Sequence, residues 1–359
     1  MKKLLVLLMI FTMVLMTACQ GGGEEQENAD AADATDAADT ADTSSASADE
    51  EVYTLKIGGT VPDTHPITIA LYKFAEDINA KSEGRIQASF FPNNQVGSGR
   101  ELFEAVQVNN LQMCENSIAA IAAFTDKYMV LSLPFLFPSR DVAYAFADSS
   151  HGTELSDEVA AETGIKVVGY YENGIRQLTN SKRPISAPAD LKGIKVRVMD
   201  SPMFIKMFEA MGASPTPMAF AELFTALQQK TIDGQDNPYT IVVTNKFYEA
   251  QTYITNLEHC FDYTVVAVNV DFYNSLPEDL KAIFDECMAD SVKYQRELSI
   301  EAEKENLATI KEYLEFTELT PEQREVFRKA CEPVYDWFKD TYDKDGRLDK
   351  YLTAIEELS

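Results

Sequence analysis

The chain has 359 residues, with 58 Asp and Glu against 31 Lys and Arg, a net charge of −27 at neutral pH. Acidity of this size argues against nucleic acid as a partner and against docking on an anionic lipid surface. It does not exclude a small anionic ligand, because a local pair of arginines can set the sign of a pocket.

Lys2 and Lys3 are followed by an apolar run from Leu4 to Met16 and then by Thr17, Ala18 and Cys19. The run is shorter than the roughly 20 apolar residues of a membrane span, and 1–19 reads as a signal peptide. Met16-Thr17-Ala18-Cys19 resembles a bacterial lipoprotein cleavage box, which implies that Cys19 is acylated and becomes the first residue of the mature chain. The alternative is a retained amphipathic start or a buried cysteine. From Gln20 to Glu51 there are eleven acids, no Lys or Arg and no large apolar residue, with Asp recurring at 30, 33, 36, 39 and 42. Such a stretch has nothing to bury against the entropy of ordering. It is expected to be a disordered acidic tether over 20–51, reaching roughly 30 Å as a flexible coil. The folded part then starts near Val52, still acidic with 47 acids against 29 bases, and its length suits two lobes better than one core.

Tyr53 to Gly58 alternates like a strand. Pro66 to Lys81 has helical periodicity, with Ile67, Leu71, Phe74, Ala75 and Ile78 on one face. Arg85 to Phe91 reads as a second strand, Ser98 to Asn110 as a helix, and Leu111 to Cys114 as a short strand running into Glu115-Asn116-Ser117. This β-α-β-α-β rhythm predicts a parallel sheet with helices on its faces. Ligands sit beyond the C-terminal ends of such strands, which marks the loops at 59–65 and 115–117. A second rhythm follows: a strand from Ile165 to Tyr171, a strand from Ile194 to Val198, and helices over Pro202 to Met211 and Ala219 to Lys230. Phe261 to Asn269 is strand-like again. Glu278 to Leu314 contains no Pro or Gly and predicts one helix of roughly 50 Å, long enough to run across two lobes. A final helix is expected near Pro321, carrying Trp337.

The sequence offers no catalytic apparatus. Its three histidines, His65, His151 and His259, fall in no HExxH spacing, and neither a GxSxG nor a P-loop is present. Val96-Gly97-Ser98-Gly99-Arg100 is glycine-rich but reads as a turn into a helix. Cys114, Cys260, Cys287 and Cys331 match no metal or redox spacing, and they read either as separate buried thiols or as partners in disulfides that sequence alone cannot pair. No enzyme activity, cofactor or metal is expected.

Several segments taken together carry a family resemblance: Gly59-Thr60 with His65-Pro66, Phe91-Pro92-Asn93-Asn94-Gln95-Val96-Gly97, Leu131-Ser132-Leu133-Pro134-Phe135-Leu136-Phe137, Asn173-Gly174-Ile175-Arg176-Gln177, Leu191-Lys192-Gly193-Ile194-Lys195-Val196-Arg197, Gly212-Ala213-Ser214-Pro215-Thr216-Pro217-Met218-Ala219-Phe220 and Asp233-Gly234-Gln235-Asp236-Asn237-Pro238. Over nearly the whole of 52–359 the chain resembles the solute-binding receptors of tripartite ATP-independent periplasmic (TRAP) transporters, the branch typified by C4-dicarboxylate and sialic-acid receptors. The resemblance implies an α/β, two-lobed periplasmic-binding-protein-like clamp with a hinge and a long helix spanning both lobes. It implies lobe I from 52–173 plus 262–300 and lobe II from 174–261 plus 301–359. It also implies a monomeric, extracytoplasmic receptor that hands a small organic acid to the permease subunits of a secondary transporter.

By the same resemblance Arg197 is the carboxylate-binding residue, Arg176 a second site arginine, Asn237 an amide contacting the ligand and Phe220 a ring lining the pocket. A guanidinium fits the first role, since its planar fork matches a carboxylate. The plainer alternatives are an edge-strand arginine facing water for Arg197, a rim salt bridge for Arg176, a turn former for Asn237 and a core ring for Phe220. From the other lobe Thr60, His65, Asn116 and Ser117 are candidates. His65 either contacts ligand or caps the helix after it, and Glu115 points either to the pocket or away. Uncharged polar groups suit hydroxyls, so a sugar acid such as a hexuronate or aldonate is favoured, with a C4-dicarboxylate as runner-up. A receptor that feeds a sensor kinase stays open.

Overall fold

The structure, a computed structural model, describes residues 51–359. The expectations for Cys19, the signal peptide and, apart from Glu51, the tether lie outside the described residues. In chain order the strands are β1 (Tyr53–Gly58), β2 (Ile86–Phe91), β3 (Met113–Ser117), β4 (Ile165–Ile175), β5 (Gln177–Asn180), β6 (Lys195–Val198), β7 (Ser214–Pro217), β8 (Gly234–Asn237), β9 (Tyr253–Thr255), β10 (Phe261–Asn269) and β11 (Glu315–Thr317). They form two sheets, one in the order β2-β1-β3-β10-β4 and one in the order β11-β9-β5-β8-β6-β7.

Local sequence explains the first β-α-β unit. Pro66 occupies the first turn of the helix Pro66–Lys81, where its missing N–H costs nothing, and Ile67, Leu71, Phe74, Ala75 and Ile78 are buried. β1 pairs in parallel with β2 and with β3. The sheet is nevertheless mixed, because β10 is antiparallel to both β3 and β4. All nine residues of β10 are buried, as suits a strand inside a sheet covered on both faces. The second sheet repeats the pattern: β6 is parallel to β7 and β8, while β5 is antiparallel to β8 and β9.

The chain passes from the first sheet to the second between β4 and β5 and returns between β9 and β10. The helix Glu278–Tyr313 then runs along both. Its first half buries Leu280, Phe284, Cys287 and Met288, and Phe284 packs edge-on against Phe74. Its middle buries polar residues instead. Ser291 donates to the Ala70 carbonyl at 3.1 Å, and the Gln295 amide closes both backbone groups of Glu172 at 2.8 Å. Further along, Asn306 reaches Thr240 at 3.2 Å.

Four expectations change. The helix predicted over 98–110 is confined to Arg100–Gln107. Glu115, Asn116 and Ser117 lie within β3 rather than in a loop. The single last helix is three, Pro321–Ala330, Glu332–Thr341 and Arg347–Glu357, divided by a proline at the start of the second, where a helix begins more readily than it continues. Residues 301–359 also do not all belong with the second sheet. β11 joins it, but Tyr351 packs against Phe146, and Arg347 and Lys350 pair with Glu158 and Glu154. Those partners belong to helices Arg140–Asp148 and Ser150–Thr163, which precede β4. The four cysteines are all buried as free thiols.

Candidate ligand-binding cleft

A cavity of about 410 Å³ opens where the C-terminal ends of β1 and β3 approach those of β6 and β8, the usual placement for ligands in such sheets. Its size falls in the range of roughly 300–1,000 Å³ typical of small-molecule sites. Thr60, Asn116 and Ser117 line it from the first sheet, and Arg176, Arg197, Phe220 and Asn237 line it from the other side.

Arg197 sits between Val196 and Val198 on β6, and all three side chains are buried. The alternation sends the two valines into the core and the guanidinium to the opposite face. There Nε and Nη2 donate to the Met218 carbonyl at 3.0 and 2.8 Å. That clamp uses one edge of the fork and leaves the Nη1–Nη2 edge uncommitted. Arg197 is 2 % exposed, and among the described residues no carboxylate pairs with it. Burial, reinforced by the nearby charge of Arg176, lowers its pKa to about 10, still cationic at neutral pH. A buried arginine without a counter-ion is costly, and a carboxylate supplies the missing charge with two parallel hydrogen bonds. The Phe220 ring lies 6.0 Å from this guanidinium and packs against Phe247.

Arg176 lines the same cavity but is already paired with two carboxylates. Its Nε donates to Asp236 at 2.6 Å and its Nη1 to Asp262 at 2.5 Å, with Nη2 donating to the Asp236 carbonyl and, at 3.4 Å, to Asn237 Oδ1. Asp236 comes from β8 and Asp262 from β10, so this one cation ties the two sheets together. His259 backs Asp236 at 3.1 Å. Asn237 is further fixed by a bond from its Nδ2 to Gln235 Oε1.

On the opposite wall the polar side chains are held by bonds to the protein. Thr60 donates through its hydroxyl and its backbone N–H to Glu115 Oε1, Asn116 Nδ2 donates to the Gly99 carbonyl at 2.6 Å, and Ser117 Oγ lies 3.4 Å from Asp262 Oδ1. Glu115 thus points behind the Gly59–Thr60 loop and does not line the cavity. Burial raises its pKa, against the opposing pull of the Thr60 bonds. His65 also stays out of the cavity. Its Nδ1 accepts the Ile67 N–H at 3.2 Å, capping the helix, and burial drives its pKa down to about 3.

Sequence reading missed Asn173, Met199 and Arg100, all of which line the cavity. For Asn173 the available signal is the Asn-Gly pair at the end of an apolar strand, since glycine within a strand often marks a bulge. Arg100 follows the glycine-rich turn that reads only as a helix start. It is 66 % exposed and paired with Glu104. Among the described residues no group of His, Cys, Asp and Glu is placed to hold a metal ion, and no helix is long and apolar enough to cross a membrane.

Two α/β lobes joined by three crossings, with a buried arginine in the cleft between them that no carboxylate among the described residues pairs with, define a solute-binding receptor for an anion. The chain belongs to the bacterial extracellular solute-binding protein family 7, whose model matches residues 57–341, the family of the TRAP-transporter receptors. It is 32 % identical over 294 residues to the C4-dicarboxylate-binding periplasmic protein DctP of Shewanella loihica, covering 81 % of this chain and 87 % of that one. It is 31 % identical to the 2,3-diketo-L-gulonate-binding periplasmic protein YiaO of Escherichia coli, covering 72 % of this chain and 79 % of that one. Among solved structures, the sugar acid binding protein of Advenella mimigardefordensis in complex with galactonate superposes with a TM-score of 0.83 at 32 % identity, covering 87 % of this chain and all of that one. A receptor from Shewanella oneidensis with bound succinate superposes with a TM-score of 0.80 at 29 % identity, covering 86 % and 99 %.

Proposed function

We propose that this receptor closes on a hydroxylated monocarboxylic acid, a sugar acid of the aldonate or hexuronate class, and delivers it to a TRAP-type membrane permease. The observation that carries the reading is Arg197: buried, clamped by one carbonyl, lacking a carboxylate among the described residues and aimed into the cleft. Arg197 takes the carboxylate, Asn237 and Phe220 shape its surroundings, and Thr60, Asn116 and Ser117 meet hydroxyls. Arg176 acts by holding the pocket floor. His65 is withdrawn from the site and kept as a helix cap. The ligands named for the relatives include sugar acids and C4-dicarboxylates. The hydroxylated class is preferred because the lining offers no second free cation opposite Arg197: Arg176 is paired twice, and Arg100 pairs with Glu104.

The test is a thermal-shift and calorimetry panel of galactonate, glucuronate, erythronate and succinate, since a ligand that binds only the folded state raises its midpoint. Hydroxylated acids should bind, and Arg197→Ala should weaken them by roughly 30- to 5,000-fold, the consequence of losing about 2–5 kcal/mol from a shielded charge pair. A folded Arg197→Ala protein that binds within about threefold of wild type would remove Arg197 from the site.

We place the hinge at 173/174, 261/262 and near 300/301, beside the passages between the sheets at Arg176 and between β9 and β10, with the monomer as the working unit. Cys19 is taken as the acylated residue that anchors the receptor outside the cytoplasm, through the tether 20–51. Multiple acyl chains give stable anchoring where one is marginal. Cys19→Ser should therefore move the protein from the membrane to the soluble fraction; a variant that sediments with membranes as fully as wild type argues against lipidation.

A further inference from the structure

Asn173 stands in a β-bulge. Gly174 of β4 pairs with Asp262 and Glu172 pairs with Tyr263, so Asn173 is the extra residue without a partner on β10. Bulges next to binding sites re-aim a side chain, and this one puts Asn173 into the cavity wall. The following Gly174 has a φ of +127° and lies so close to Pro238 that an added Cβ would meet it at 2.8 Å, which holds the bulge against the second lobe.

The orientation of the amide is fixed by chemistry. Nδ2 lies 2.7 Å from Asp262 Oδ2, and an ionised carboxylate only accepts, so the nitrogen must face it. Oδ1 is left over. It is buried, in a residue only 9 % exposed, and has no hydrogen-bond partner among the described residues. A buried acceptor of this kind calls for a donor.

We infer that Asn173 is a specificity-determining residue, whose Oδ1 accepts a hydrogen bond from a hydroxyl of the bound acid and thereby disfavours acids that present no donor there. This rests on the sugar-acid reading above and adds a named discriminator to it. A succinate-like ligand would place a methylene or a second carboxylate against Oδ1. Either leaves the acceptor unsatisfied, and a site built around a hydroxyl rejects the analogue that lacks it. Nearby on this wall the Thr60 hydroxyl hydrogen is spent on Glu115, and the Asn116 amide is held at both ends, Nδ2 donating to the Gly99 carbonyl and Oδ1 accepting the Ser117 N–H.

The experiment is calorimetry of wild type and Asn173→Ala with galactonate, glucuronate, erythronate, singly deoxygenated analogues of each, and succinate. In wild type, one deoxygenated analogue of a bound acid should bind about 5- to 150-fold more weakly than its parent. Asn173→Ala should weaken the parent acid by a similar factor and leave that one analogue almost unchanged. The inference is overturned if every deoxygenated analogue binds wild type as well as its parent, or if Asn173→Ala weakens parent and analogues equally or not at all. The wild-type comparison needs no substitution, so it stands even if the variant folds poorly. Wild type that binds succinate but none of the hydroxylated acids overturns the sugar-acid reading itself, a result distinct from the other two.

Discussion

Burial of one imidazole sets a pH response separate from ligand binding. His65 caps its helix through Nδ1, and burial lowers its pKa from an ordinary 6.5 to about 3. Between those values the unfolded chain holds a proton that the folded one does not, so stability rises with pH there and falls on acidification from 6.5 toward 3. The slope from one such group is at most about 1.4 kcal/mol per pH unit. Asparagine also supplies a good N-cap oxygen and does not titrate, so His65→Asn should lose less stability than wild type between pH 6.5 and 4. Urea midpoints measured across that range would show the two proteins diverging; parallel curves would mean that His65 is not buried neutral. At this scale a cation between two valines on a short strand is visible in the chain, while the ligand role proposed for Arg197 comes from the family resemblance. Asn173 could not, because its direction depends on a one-residue slip against β10 that only pairing reveals. The engagement of Arg176 was equally hidden. Its partners lie 60 and 86 positions away, on strands of different sheets.

Among the elements, those with their own periodicity and terminal signals were legible. The helices Pro66–Lys81 and Glu278–Tyr313 and the strand β10 show either a 3.6-residue apolar face or a continuous apolar run. What periodicity does not encode is direction. β10 reads as a buried strand from its composition, yet it runs antiparallel to its neighbours because the chain re-enters the first sheet from the second. Short pieces were also lost. The turns at Ile118–Ala123 and Lys127–Ser132 and the three-residue strands β9 and β11 are too brief for a pattern to repeat. The helices at 140–163 were missed as well, although Ser139 and Ser149 cap them through their side chains, a signal that was present in the sequence. The polar stretch Ser291, Gln295 and Ser299 weakens the apolar face of the long helix at the point where it bonds to Glu172 of β4.

Taken whole, the molecule joins two sheets through three crossings, with the charge cluster Asp262–Arg176–Asp236, backed by His259, buried where two of them meet. Removing one member of such a cluster leaves uncompensated charge in the interior, and on the proposed clamp it is the fixed pivot around which the lobes turn. Arg197 lines the cavity from the second sheet, and Asn173, Asn116 and Thr60 line it from the first. An acid long enough to engage both sides binds the closed form better than the open one, and only such differential affinity shifts the equilibrium toward closure. Small-angle scattering of wild type and Arg197→Ala, each with and without the acid giving the largest thermal shift, tests this directly. The radius of gyration of wild type should fall at saturation, while Arg197→Ala at the same concentration should keep the ligand-free curve. Wild-type curves that superpose with and without an acid shown by calorimetry to be bound, or equal compaction in Arg197→Ala, would contradict a clamp closed by a carboxylate on Arg197.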